Sequence, residues 1–167
     1  MSDDCCSNAD RQAIHDVLVD YCRQLDRMEL DALAALFTKD CHVEFGPDAR
    51  LNSTGRAALA RSLERMWRWS RTSHHLSNVQ IRFTGPGEAS ALSYVLAWHE
   101  RADGSTATVY GQYRDRLEKR NDRWQIARRM MFENGSDQGF TVNLHPLERR
   151  PAPANWVAPL VDRPPPG

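Results

Sequence analysis

Residues 73–83, SHHLSNVQIRF, open the first long run in which apolar and polar residues alternate. Before Arg71 the apolar residues recur at three- and four-residue steps; after it the period is two, so helices precede strands. Four strand candidates follow, at 73–83, 88–101, 106–119 and 124–134, joined by TGPG, ADGS and RND. These links are short and rich in turn residues, so consecutive strands must be antiparallel neighbours. Upstream, Ile14, Val17, Leu18, Tyr21 and Leu25 form the stripe of an amphipathic helix over 8–27. A second helix, ELDALAALF (29–37), is ended by TKDC, and HVEF (42–45) alternates as a short strand. Gly55 opens a third helix with Leu59, Leu63, Met66 and Trp67 on its apolar face. Helices first and a meander after predict an α+β fold, with a strongly curved antiparallel sheet packed against the N-terminal helices.

The chain has 167 residues, enough for one domain with a core. We divide it into a disordered tail over 1–7, a domain over 8–134 and a proline-rich C-terminal extension over 135–167. With 22 basic and 22 acidic residues the charges balance, which argues against a nucleic-acid partner. No apolar run is long enough for a membrane span, and MSDDCCSNAD lacks the basic start and apolar stretch of a secretory signal. A cytoplasmic protein is expected, with Cys5, Cys6, Cys22 and Cys41 as free thiols.

Strict alternation along 73–83 sets His75, Ser77, Val79, Ile81 and Phe83 on one face and His74 on the other. The apolar set marks the interior, so His75 is expected to point inward and His74 outward. An inward imidazole is either a structural residue hydrogen-bonded to a backbone carbonyl or, where a carboxylate fixes its tautomer, a general base. Asp26, at the border of the first helix's apolar stripe, is either the candidate carboxylate or a solvated acid beside Arg23 or Arg27. Tyr21, on the stripe itself, either brings its hydroxyl to a cavity or fills the core with its ring. Alternation in 124–134 puts Arg129 opposite Trp124 and Ile126, so an inward guanidinium there requires a bulge. Residues 88–101 are apolar on both faces and leave the direction of His99 open. MWRWSRTSHH (66–75) reads as a solvated helix end or a subunit contact.

DYCRQLDRMELDALAALFTKDCHVEF (20–45), TSHHLSN (72–78) and VYGQYRDRLEKRNDRWQIARR (109–129) together resemble the SnoaL-like branch of the NTF2-like superfamily over about 9–134. The resemblance implies a cone-shaped domain around a deep apolar pocket. It also implies kinship with scytalone dehydratase, bile-acid 7α-dehydratase and hexachlorocyclohexane dehydrochlorinase, which are cofactor-free lyases. On that basis Asp26 and His75 match their shared aspartate and histidine, and Tyr21 the tyrosine of the bile-acid enzyme. Arg129 is similar to an arginine of the dehydrochlorinase pattern, and His99 to a second pocket histidine of scytalone dehydratase. The implied activity is a dehydratase-like elimination on a small hydrophobic cyclic or aromatic molecule, without metal or cofactor. An isomerase, a cyclase or a retro-aldol carbon–carbon lyase uses the same scaffold. So does a non-catalytic ligand-binding module or a dioxygenase β-type subunit. The outer sheet face of such folds commonly assembles, so a homodimer or homotrimer is expected.

Overall fold

The computed structural model describes residues 8–148 and 150–157; Cys5, Cys6 and the tail expected over 1–7 lie outside them. The elements are α1 (Asn8–Asp26), α2 (Leu30–Ala35), β1 (Phe37–Glu44), β2 (Ser53–Thr54), α3 (Arg56–Leu63), β3 (Arg71–Gly85), β4 (Glu88–Glu100), β5 (Thr106–Arg120), β6 (Arg123–Ser136) and β7 (His145–Pro146). The sheet order is β2-β1-β6-β5-β4-β3, with β7 also on β6. Strands β3 to β6 form the expected antiparallel meander, whereas β1 and β7 each run parallel to β6. No described helix is long and apolar enough to cross a membrane.

Helix α1 buries Ile14, Leu18, Tyr21 and Leu25 in the concave face of the sheet and packs on β3 and β6. It ends in a Schellman turn. Met28 adopts φ +56°, and the amides of Met28 and Glu29 donate to the carbonyls of Leu25 and Gln24, both at 3.0 Å. Asp26 is therefore fixed in the last helical turn.

Two local readings are corrected. The second helix stops at Ala35, and TKDC lies inside β1, because Phe37 pairs with Ile126 and draws the chain onto the sheet. After Leu63 the winding tightens into a 3₁₀ turn (Glu64–Arg68). The tighter period rotates Trp67 out to 64% exposure and sends Trp69 into the core at 7%.

The decisive departures are β-bulges. Ser77 pairs with Tyr94 but Gln80 with Leu92, so β3 carries one extra residue at Asn78–Val79, where Asn78 takes φ +50°. The inward set is thus even-numbered before the bulge and odd-numbered after it. On β6, Arg128 pairs with Arg116 and Ile126 with Leu117, leaving Ala127 as the extra residue and turning Arg129 inward.

Arg129 and Asp115, cross-strand neighbours on β6 and β5, are almost wholly buried and joined by two 2.8 Å hydrogen bonds. The guanidinium carbon lies 4.0 Å from the Tyr21 ring centroid and 4.1 Å from that of Tyr113. Removing one partner of a buried pair strands the other charge, at a cost of about 3–5 kcal/mol. Asp115→Asn should lower stability in urea unfolding by about that much, whereas Asp115→Leu with Arg129→Met should cost less than the single change.

Candidate active site

The C-terminal end of α1 meets the start of β3 inside the cone. Asp26 Oδ1 accepts from the His74 ring Nδ1 at 2.6 Å and from the Thr72 hydroxyl at 2.8 Å. Oδ2 accepts from the His74 backbone amide at 3.0 Å. Burial raises the Asp26 carboxyl, but the hydrogen bond and charge of His74, with the other two donors, bring it below the usual carboxylate range. A negative charge in a helix's last turn is unfavourable against the helix dipole, and these donors offset that.

The histidine that meets Asp26 is His74, not His75. Its side chain is 4% exposed and lines the cavity, while His75 lies outside, its Nε2 2.9 Å from the Ser73 hydroxyl. The parity reading placed His75 inside because it assumed an unbroken strand; the extra residue at Asn78–Val79 moves the inward position by one. With Nδ1–H given to Asp26, the lone pair of the neutral form of the His74 ring is on Nε2.

His99 faces inward, 3% exposed, on the same face of β4 as Val95 and Ala97. Its Nδ1–H donates to the Ala107 carbonyl at 3.2 Å, so Nε2 is left to accept. Its ring stands edge-on to His74 at 5.5 Å and against Trp69 at 4.8 Å. Burial, aided by His74, pulls its pKa down to about 4.

Tyr21 lines the cavity. Its hydroxyl is buried and has no hydrogen-bond partner among the described residues, as is true of Arg129 Nη1. Burial pushes the phenol up and Arg129 opposes that shift. Arg129 itself lies behind Tyr21 and does not line the cavity.

The cavity of about 60 Å³ is lined by Leu25, Leu63, Met66, Ala97, Val109 and Met131, among others, besides the polar groups named above. Phe140, Val142 and Leu144, from the expected extension, also line it. That segment sits close because two glycines allow it. A Cβ at Gly139 would strike the Thr106 carbonyl, and one at Gly46 the Asn143 carbonyl. Sequence reasoning missed His74, Thr72, Trp69, Asp115 and this apolar triad.

The SnoaL-like domain family matches residues 7–130. A crystal structure from Novosphingobium aromaticivorans, provisionally assigned as a scytalone dehydratase, is 32% identical, covers 86% of this chain and 96% of its own, and has a TM-score of 0.80. A hexachlorocyclohexane dehydrochlorinase, LinA type 3 from Novosphingobium barchaimii, shares the fold at 17% identity, with 83% of this chain and 96% of its own covered and a TM-score of 0.71. ActVI-ORFA of Streptomyces coelicolor does so at 19% identity, 74% and 96% coverage and a TM-score of 0.65. No curated protein sequence matches the chain. The chain belongs to the SnoaL-like domain family.

His99 carries a pH signature. Its folded-state pKa of about 4 lies below the ordinary value of 6.5, so the unfolded chain binds the extra proton between those values. Stability is therefore full above pH 6.5 and falls as the pH drops from about 6.5 to about 4, by up to about 3 kcal/mol from this group. Urea unfolding should show that acid limb, and His99→Gln should flatten it.

Proposed function

We propose that this SnoaL-like domain is a cofactor-independent lyase, with His74 as the general base and Asp26 as the group that orients it. The substrate is a small hydrophobic cyclic or aromatic molecule that loses a leaving group from the carbon next to the one deprotonated. One observation carries the reading: among the described residues Asp26 accepts three hydrogen bonds, from Thr72 and twice from His74, and one of the donors is the ring nitrogen of a cavity histidine. A carboxylate so engaged is a poor base itself. That favours elimination by the imidazole over an isomerase in which a free carboxylate moves the proton.

In the forward step His74 Nε2 takes a proton from a substrate carbon. The imidazolium is stabilised by Asp26, whose carboxylate stays ionised because its pKa is low. Tyr21 is the donor for the departing group, since its hydroxyl is committed to nothing else among the described residues. Arg129, behind the ring, acts as a positioning residue by opposing the rise in the phenol's pKa. His99, neutral down to about pH 4, is an acceptor for a substrate hydroxyl and not the acid. The apolar lining strengthens each of these interactions by excluding water.

An engineered apolar cavity of about 150 Å³ is what holds a benzene ring in a protein core. At about 60 Å³ this cavity must widen to admit a ring. The segment bearing Phe140, Val142 and Leu144, outside the main meander, is the wall we expect to yield. On the outer sheet face Leu96 and Tyr110 are 37% and 50% exposed, which supports assembly into the homo-oligomer we propose.

Turnover on a panel of hydrophobic alcohols, halides and 1,2-diols, with products identified, tests the reading. His74→Ala and Asp26→Asn should each lose about 10²–10⁴-fold, the worth of general base catalysis, whereas His75→Ala should stay within about threefold. Equal loss in the His75 and His74 variants, or none in either, would overturn the assignment.

A further inference from the structure

The cavity mouth is cationic. Arg65 and Arg68, from the 3₁₀ turn, line the same cavity as His74. Arg65 is half-buried, gives Nη1 to the carbonyl and hydroxyl of Ser62, and lies 5.0 Å over the Phe45 ring. Arg68 lies 5.1 Å over the Trp69 ring, and Arg101 approaches that ring at 4.6 Å. None of the three holds a carboxylate among the described residues. The chain does not lack acids, since Arg71, Arg120, Arg128 and Arg129 hold Glu100, Asp40, Glu44 and Asp115.

The arrangement is unfavourable by itself. Burial disfavours the charge on Arg65, Tyr21 offsets part of that and Arg68 adds repulsion; Arg68 is exposed to solvent at the rim, its charge disfavoured by partial desolvation and by Arg101. An arginine stays ionised regardless, so the half-buried guanidinium of Arg65, with exposed Arg68 beside it, suits an anion at the edge of the apolar cavity. With Nη1 engaged, Arg65 keeps its Nε and Nη2 edge, two parallel donors that match the two oxygens of a carboxylate.

We propose that the substrate carries a carboxylate, held by Arg65 and Arg68, on an aromatic or alicyclic body that fills the apolar cavity beside His74. This rests on the reading of the cavity as the substrate site. It narrows the substrate class to hydrophobic acids, whereas His74 and Asp26 by themselves accept neutral molecules as well.

The test is binding, so that it stands apart from turnover. Calorimetric titration would compare 2-naphthoate and 4-phenylbenzoate with their uncharged amides, and with naphthyl sulfate. At least one acid should bind wild-type protein about tenfold tighter than its amide, as expected for a desolvated charge-assisted pair. That margin should fall at least about fivefold in Arg65→Gln/Arg68→Gln, recover in part in Arg65→Lys, and weaken with salt. Thermal melts would establish that each variant is folded. Equal binding of acid and amide, no binding of either acid, a margin that survives the double substitution, or preference for the sulfate would each overturn the carboxylate assignment. The margin should persist in His74→Ala. If it does while turnover proves indifferent to His74, the lyase reading fails and the anion site stands; the reverse pattern removes only the anion site.

Discussion

Three hydrogen bonds to one carboxylate join the helical layer of this domain to its sheet. Asp26 ends α1 and takes donors from Thr72 and twice from His74 at the start of β3. The Schellman turn at Met28 holds the acid at the helix end, and the β3 bulge sets which imidazole it meets. Structure and chemistry are thus one interaction: the contact that docks the helix is also the contact that fixes a tautomer.

Charge is arranged in layers around that contact. Behind the tyrosines the Arg129–Asp115 pair is internally neutral and fully desolvated. In the middle stand two imidazoles of different character, His74 tied to a carboxylate and His99 tied to a backbone carbonyl. At the mouth Arg65 and Arg68 hold no carboxylate among the described residues. Neutral below and positive above, the cavity has a polarity that its apolar lining does not reveal.

Much of this was legible in the residues. Helix α1, the meander and the positions of Asp26 and Tyr21 on and beside the helix's apolar stripe follow from apolar periods of 3.6 and 2. What failed has a common cause, which is counting. Alternation assigns faces by parity, and a bulge adds one to the count without changing composition. Asn78 offers a faint sign, since asparagine tolerates the left-handed region, but Ala127 offers none. The same arithmetic exchanged Trp67 for Trp69, because a 3₁₀ turn advances by three where the α-helix advances by 3.6. His99 was undecidable from β4 alone because both its faces are apolar. The apolar triad of Phe140, Val142 and Leu144 lies beyond the last periodic segment, where sequence pattern carries no direction.

Ahead of the bulge β3 reads Thr72, Ser73, His74, His75: two hydroxyls followed by two imidazoles. In the native pairing Thr72 and His74 face Asp26 while Ser73 and His75 form their own contact on the outer surface. A slip of β3 by one position would exchange the pairs and still offer the acid a hydroxyl and an imidazole two residues apart. With a hydroxyl and an imidazole on each face, it is the parity of β3, and not which residue types it carries, that decides which imidazole meets the acid.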